Sequence, residues 1–329
     1  MIVRRQIVLG IGASALATPL APLAQQQPAR VARIGFLIPA YASSYASRVE
    51  ALRAGLRDLG YVEGKNFAIE FRWADGKYER LPGLAVELVR LKVDVIVTGG
   101  TPGTRAAKQA TAEIPIVMAV SGDAVATGLI ASLARPGGNV TGTTYFDPEL
   151  HEKRLELLKE AIPRITRVGA LINPDNPQAM GTTLQRLRLA AESLKLELPL
   201  FGARSPGEFE GAFSEMSSKR VDAAAIVDDP MFLGNLRAIA NHAASTRLPS
   251  TGAKEFAEAG GLIGYGVDFA GTFHRAAYFV DRVLRGVKPR DLPVEQATKF
   301  ELLINGRSAK ALGVTMPQSI LLRADRVIE

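Results

Sequence analysis

The sequence predicts an α/β chain of two similar lobes, each a doubly wound parallel sheet, joined by hinge strands. Three observations carry this prediction. From residue 31 onward, short apolar runs alternate with amphipathic stretches of helical period. The alternation then starts again: RIGFLI at 33–38 returns as RVGALI at 167–172, an offset of 134. The 329 residues exceed what one small core needs and suit two α/β lobes.

The elements follow in order. Residues 31–38 read as a strand. Residues 47–59 read as a helix with Val49, Leu52, Leu56 and Leu59 on one face, closed by Gly60. Strands at 67–72, 93–97 and 115–119 alternate with helices at 79–91 and 102–111. This βαβαβαβ order argues for a parallel sheet with helices on both faces. In the second half, a strand at 167–172 precedes a helix at about 178–193, a strand at 196–201, a helix at 207–219 and a strand at 221–227. Leu248-Pro249 mirrors Ile114-Pro115, and 262–266 resembles 140–144. A period this long marks a duplicated lobe, not a solenoid. The tail adds a helix at about 268–285, a strand at 299–304 and a short final helix. The expected division is 30–145 with about 268–300 in one lobe, and 146–267 with about 301–329 in the other.

Composition removes several functions. At 47% hydrophobic and 22% charged, the chain is an ordinary globular one. It has no cysteine, so thiol nucleophiles, thiolate metal sites and disulfides are excluded. Its three histidines, His151, His242 and His274, are too scattered for a zinc site, and no cofactor motif is present. The net charge is +7, but basic and acidic residues are intermixed and there is one Trp, so no nucleic-acid face is indicated. Residues 1–24 read as an export signal. Arg4 and Arg5 precede an apolar stretch at 6–17, and a Pro/Ala-rich segment ends at Ala24. The paired arginines fit the twin-arginine export route. Cutting after Ala24 leaves Pro22 at the −3 position, where a small residue is preferred.

Ligands of open parallel sheets sit beyond the carboxyl ends of the strands, and two facing lobes make a cleft there. The loops at those ends are therefore the candidate site. At 98–104, Thr98, Thr101 and Thr104 surround a Gly99-Gly100 pair, and Pro102 suits a first helical turn. The free N–H groups of such a start suit a carboxylate, and an ordinary capped turn is the alternative. Asp123 is either a partner for an ammonium or an N-cap. Asp228 and Asp229 are adjacent after a strand; one suits a helix cap before Pro230 and the other a cleft role. Asn173, Asp175 and Asn176 are turn formers able to bind polar groups. Tyr41, Tyr45, Phe232, Phe256, Tyr265 and Phe269 suggest a ligand with a flat or apolar part, or packing between lobes. Lys254 and Glu255 form a solvated pair in the plainest reading.

The stretches GLRDLGYVEGKNFAIEFRWADGKYERLP, LVRLKVDVIVTGGTP, GLIASLARPGGNVTG, EAGGLIGYG and LPVEQATKFELLINGRSAKALGVTMP carry a resemblance. In them, residues 31–329 resemble the bacterial ABC-transporter substrate-binding proteins of the tryptophan/tyrosine-type group, of type I periplasmic-binding-protein fold. The resemblance implies a non-enzymatic, periplasmic protein that traps a small solute, an amino acid or its aromatic kin, and delivers it to ABC permease subunits. A monomer without cofactor or metal is expected. By position, the implied ligand shell falls on Tyr41, Ser43 and Ser44; Thr98, Gly99, Thr101 and Pro102; Ser121 and Asp123; Asn173, Asp175 and Asn176; Asp228, Asp229 and Met231; Lys254, Phe256 and Tyr265. In an amino-acid reading, Thr98 and Thr101 hold the carboxylate, Asp123 with Asp228 or Asp229 holds the ammonium, and Tyr41 and Phe256 flank the side chain. The Gly99-Gly100 pair departs from relatives that place a further small polar residue there.

Two other classes compete. An effector-sensing domain of a transcription regulator has the same fold, but it calls for an N-terminal helix-turn-helix where this chain has a signal. An exported hydrolase using Asp228 and Asp229 lacks an evident nucleophile and base.

Overall fold

The computed structural model describes residues 31–145 and 147–329, the side chains of 147, 148 and 177–180 excepted. The export signal expected at 1–24 lies outside the described residues. The first half runs β1 (Ala32–Ile38), α1 (Ala46–Asp58), β2 (Phe67–Trp73), α2 (Leu81–Arg90), β3 (Val95–Gly99), α3 (Thr101–Ala110), β4 (Ile116–Val120) and β5 (Val140–Thr144). The second runs α4 (Asp147–Ala161), β6 (Val168–Ile172), α5 (Pro177–Ser193), β7 (Leu200–Gly202), α6 (Phe209–Ser218), β8 (Ala223–Ile226), α7 (Pro230–Leu233), α8 (Leu236–Ser245), β9 (Ser250–Gly252), α9 (Lys254–Glu258) and β10 (Ile263–Gly266). The tail holds α10 (Phe269–Leu284), β11 (Glu295–Gln296), β12 (Glu301–Asn305), α11 (Gly306–Leu312), α12 (Gln318–Leu321) and β13 (Arg326–Ile328).

Two sheets result, ordered β11-β5-β4-β3-β1-β2 and β13-β12-β10-β9-β8-β6-β7. The internal repeat holds strand for strand, since β2-β1-β3-β4-β5 and β7-β6-β8-β9-β10 have the same order. Pairing is parallel except for β12, which runs antiparallel to β10. The chain passes between the sheets after β5, between β10 and α10, and between β11 and β12.

The apolar runs are continuous because both sheet faces are covered. Ile34, Phe36 and Ile38 of β1 join a core beneath α1 and α10, whereas Leu37 joins the one beneath α2 and α3. In the second sheet, Val168 and Ala170 point to one core and Leu171 to the other. The repeat reaches individual side chains. Asp94 Oδ2 accepts from Arg33 N at 2.8 Å, and Asp222 Oδ2 accepts from Arg167 N at 2.9 Å. Arg33 pairs with Glu70 as Arg167 pairs with Glu197.

Some boundaries differ from the sequence expectation. The strand expected at 196–201 shrinks to β7, because Pro199 has no N–H for the ladder, and Glu197 makes only an isolated bridge to Arg167. The helix expected from 79 begins at Leu81 after a 3-10 turn at Tyr78–Arg80. Leu59 lies just past α1 and is exposed. The final helix is two, α11 ending at Gly313 in the left-handed region (φ 67°), and β13 closes the sheet edge.

Candidate ligand-binding site

A cavity of about 60 Å³ lies between the carboxyl ends of the two sheets, several times what one water needs. The first lobe lines it with Thr101 at the start of α3, Ser121 and Asp123 after β4, Tyr145 after β5, and Tyr45 before α1. The second lobe contributes Asn176 after β6, Thr183 on α5, Asp228, Asp229 and Leu233. Phe269, at the crossing into α10, completes it.

The polar wall is ordered by hydrogen bonds. Thr101 Oγ1 lies 3.1 Å from Ser121 Oγ. Asp123 Oδ1 accepts from Val125 N and Ala126 N at 3.1 and 2.9 Å, so this carboxylate caps a turn and faces the cavity at once. Asp228 is neutralised by Arg154 of α4, whose Nη1 and Nη2 donate to Oδ1 and Oδ2 at 2.7 and 3.0 Å. Arg154 is 1% exposed and its Nε donates to Tyr265 O. Asp229 has only uncharged donors: Tyr78 Oη (2.7 Å), Met231 N (2.9 Å), Asn173 Nδ2 and Asn176 Nδ2 (both 3.1 Å). Burial raises its carboxyl above the ordinary aspartate range, against the pull of those bonds.

The apolar wall is aromatic. Tyr145 and Phe269 meet edge to face with centroids 5.9 Å apart. The Arg48 guanidinium lies 4.5 Å from the Tyr45 ring centroid and 5.5 Å from that of Phe269, behind both rings. Burial also raises the Tyr45 phenol, with Arg48 opposing it, so the ring stays a neutral hydroxyl.

Of the residues expected from the sequence, the structure brings Thr101, Ser121, Asp123, Asn176, Asp228 and Asp229 to this cavity. Asn173 supports Asp229 from behind. The others lie elsewhere. Thr98 Oγ1 bonds Thr104 Oγ1 at 2.7 Å inside the lobe, and Gly99 is buried in β3 where its register with β4 shifts. Pro102 and Asp175 line a separate outer pocket, where Asp175 pairs with Arg204 at 3.2 Å. Ser44 donates to Tyr41 O within a 3-10 turn, Tyr41 leans toward Gly76, and Ser43 is exposed. Met231 is fully buried in the second lobe's core, and only its amide reaches the site. Phe256 is 0% exposed among Leu236, Ile239 and Ala240, and does not flank the cavity. Tyr265 stacks at a tilt on Phe300, 6.1 Å away. Lys254 pairs with Asp268 (3.4 Å) and Glu301 (3.2 Å), tying two of the segments that cross between the sheets, in place of the solvated pair with Glu255. The aromatic rings that line this cavity are Tyr45, Tyr145 and Phe269; Tyr41 and Phe256 do not line it.

Sequence reasoning missed Arg154, Tyr145 and Thr183. Arg154 had a signal: it sits four residues from both Leu150 and Leu158, a charge on the buried face of α4. Tyr145 had one too, because 140–144 matches 262–266 and so ends at the same cleft. Thr183 had none, since the direction of α5 decides what it faces.

A duplicated α/β fold with a polar and aromatic cavity between its lobes defines a two-lobed ligand trap. The family model for ABC transporter substrate binding protein matches residues 34–328, and the chain belongs to that family of solute-binding proteins, which are not enzymes. It is similar to the tyrosine-binding protein of Clostridioides difficile (strain R20291), 30% identical over 258 residues, 78% of this chain and 74% of that one. Among solved structures, a conserved domain protein from Vibrio cholerae is 28% identical with a TM-score of 0.83, over 91% of this chain and 100% of that one. An ABC domain from Streptococcus pneumonia in complex with L-Trp is 28% identical with a TM-score of 0.80, over 90% and 100%. No helix among the described residues is long and apolar enough to cross a membrane.

Proposed function

We propose that this chain is the extracytoplasmic solute-binding component of an ABC importer and that its solute is an aromatic amino acid. The observation that carries this is the cavity itself, whose lining combines three aromatic rings, Tyr45, Tyr145 and Phe269, with three aspartates, Asp123, Asp228 and Asp229. Tyr45, Tyr145 and Phe269 receive the ring of the solute. Asp123 and Asp229 receive its ammonium, while Asp228 is already balanced by Arg154. Thr101, at the start of α3, and Ser121, after β4, receive its carboxylate. The tyrosine-binding and Trp-bound relatives support the same class of solute. In this reading residues 1–24 direct export by the twin-arginine route, and the mature monomer hands its solute to permease subunits from the periplasm.

A thermal-shift series on residues 25–329 tests the reading. L-tryptophan or L-tyrosine at 100 times its dissociation constant adds about 2.7 kcal/mol, a shift of a few degrees. A shift with sugars and none with either amino acid would sink it. Asp123→Asn then separates the two jobs of that side chain, because the amide oxygen still caps the turn while the charge is gone. Affinity for the amino acid is expected to fall about tenfold or more, roughly 1.4 kcal/mol, with the melting temperature of the ligand-free chain unchanged.

A further inference from the structure

We propose that Tyr78 is a positioning residue of the cavity and the latch between the lobes: its hydroxyl, carried by the first lobe, holds the Asp229 carboxylate of the second. The part concerning solute rests on the function proposed above; the latch itself does not.

Asp229 follows β8 and caps α7. Three of its donors, Met231 N, Asn173 Nδ2 and Asn176 Nδ2, come from its own lobe. Tyr78 supplies the donor from the other lobe, and at 2.7 Å it is the shortest of the four. The Tyr78 oxygen also lies 3.4 Å from Met231 N. A phenol donating to a carboxylate makes a charge-assisted bond, stronger than an ordinary one. Burial and the neighbouring acid hold the Tyr78 phenol well above its usual pKa, so it is a donor at neutral pH.

The rest of the side chain fits the same role. The Tyr78 ring packs against apolar clusters of both lobes. It stands in the 3-10 turn before α2, next to a loop whose Gly76 faces Met231 across the cleft. Tyr78 and Asn176 line the outer pocket, whereas Asp229 and Asn176 line the inner cavity. The Tyr78–Asp229 bond thus spans from the outer pocket to the inner cavity, beside Thr101 and Asn176, which line both. When the lobes part, Tyr78 leaves, and Asp229 loses both a donor and its cover. Closing the lobes and setting the acid in place are one event, so solute held by that acid shifts the population toward the closed form.

The test uses the whole mature chain, in which the absence of native cysteine allows one dye on an introduced cysteine in each lobe. Tyr78→Phe is expected to cut the closed fraction of the ligand-free protein at least about threefold. With L-tryptophan as probe, dissociation is expected to speed up about tenfold and association to change less than about twofold. In an Asp229→Asn background the same change is expected to add nothing, because Tyr78 acts through that carboxylate. A ligand-free wild type with no closed fraction, a Tyr78→Phe protein with wild-type closed fraction, or additive effects of the two substitutions overturns the latch. If L-tryptophan and L-tyrosine both fail to bind the wild type, the proposed solute is wrong, and the dye distances still decide the latch.

Discussion

Asp228 and Asp229 are identical neighbours in opposite electrostatic surroundings. Asp228 lies 2.7 Å from a guanidinium with both partners almost wholly buried, while Asp229 meets only uncharged donors. The pair was readable in the sequence; its division of labour was not, because Arg154 stands 74 residues away on α4. Arg154→Met would leave Asp228 buried and uncompensated. The expected cost is about 3–5 kcal/mol, seen as a lowered midpoint in denaturant unfolding. Replacing both partners, Arg154→Met with Asp228→Leu, is expected to recover most of that loss. A single substitution with wild-type stability would mean that the pair contributes nothing to the fold.

Each strand that opens a lobe is clasped at its start by an acid from its neighbour. Asp94 and Asp222 occupy the same place in the repeat, each in a Val-Asp pair. Burial alone would raise the Asp222 carboxyl, but bonds from Thr166 N, Arg167 N and Thr166 Oγ1 outweigh it and hold the group below its ordinary value. A depressed acid stabilises the fold above its unfolded pKa, and that contribution is lost as pH falls through the folded one. Asp222→Asn is therefore expected to lower the melting temperature at pH 6 and to flatten its decline in acid below about pH 4. Parallel curves for the two proteins would show that the clasp has no linkage to protons. Lys254 and Phe256 were both expected to face the cleft, yet residues two apart on a helix point about 200° from each other. In α9, Phe256 turns to the core and Lys254 to the crossing segments.

Across the whole molecule, the lobes meet through small residues. Gly100 has φ 85°, and a Cβ there would lie 2.6 Å from Pro230 Cγ of the facing lobe. In the sequence this glycine reads as a lost hydroxyl; in the structure it is the space that Pro230 occupies. Gly100→Ala combines backbone strain with an obstructed closure. Solute affinity is expected to drop more than tenfold, and X-ray scattering at saturating solute is expected to give a larger radius of gyration than wild type. An equal radius would place the closing contact elsewhere.

The sequence by itself determined the architecture: the alternating periods, the return of 33–38 at 167–172, and the carboxyl-end loops as the candidate site. These are local or near-local signals, since backbone period and strand order depend on which neighbours are apolar. Tertiary structure alone decided which loop residues share the cavity. Thr98 turning inward to Thr104, Arg154 reaching Asp228, and Tyr78 meeting Asp229 across the lobes depend on helix direction and on contacts between segments far apart in the chain. A loop's place follows from the pattern of its flanking strands, but the direction of each side chain is set by packing, which no single segment contains.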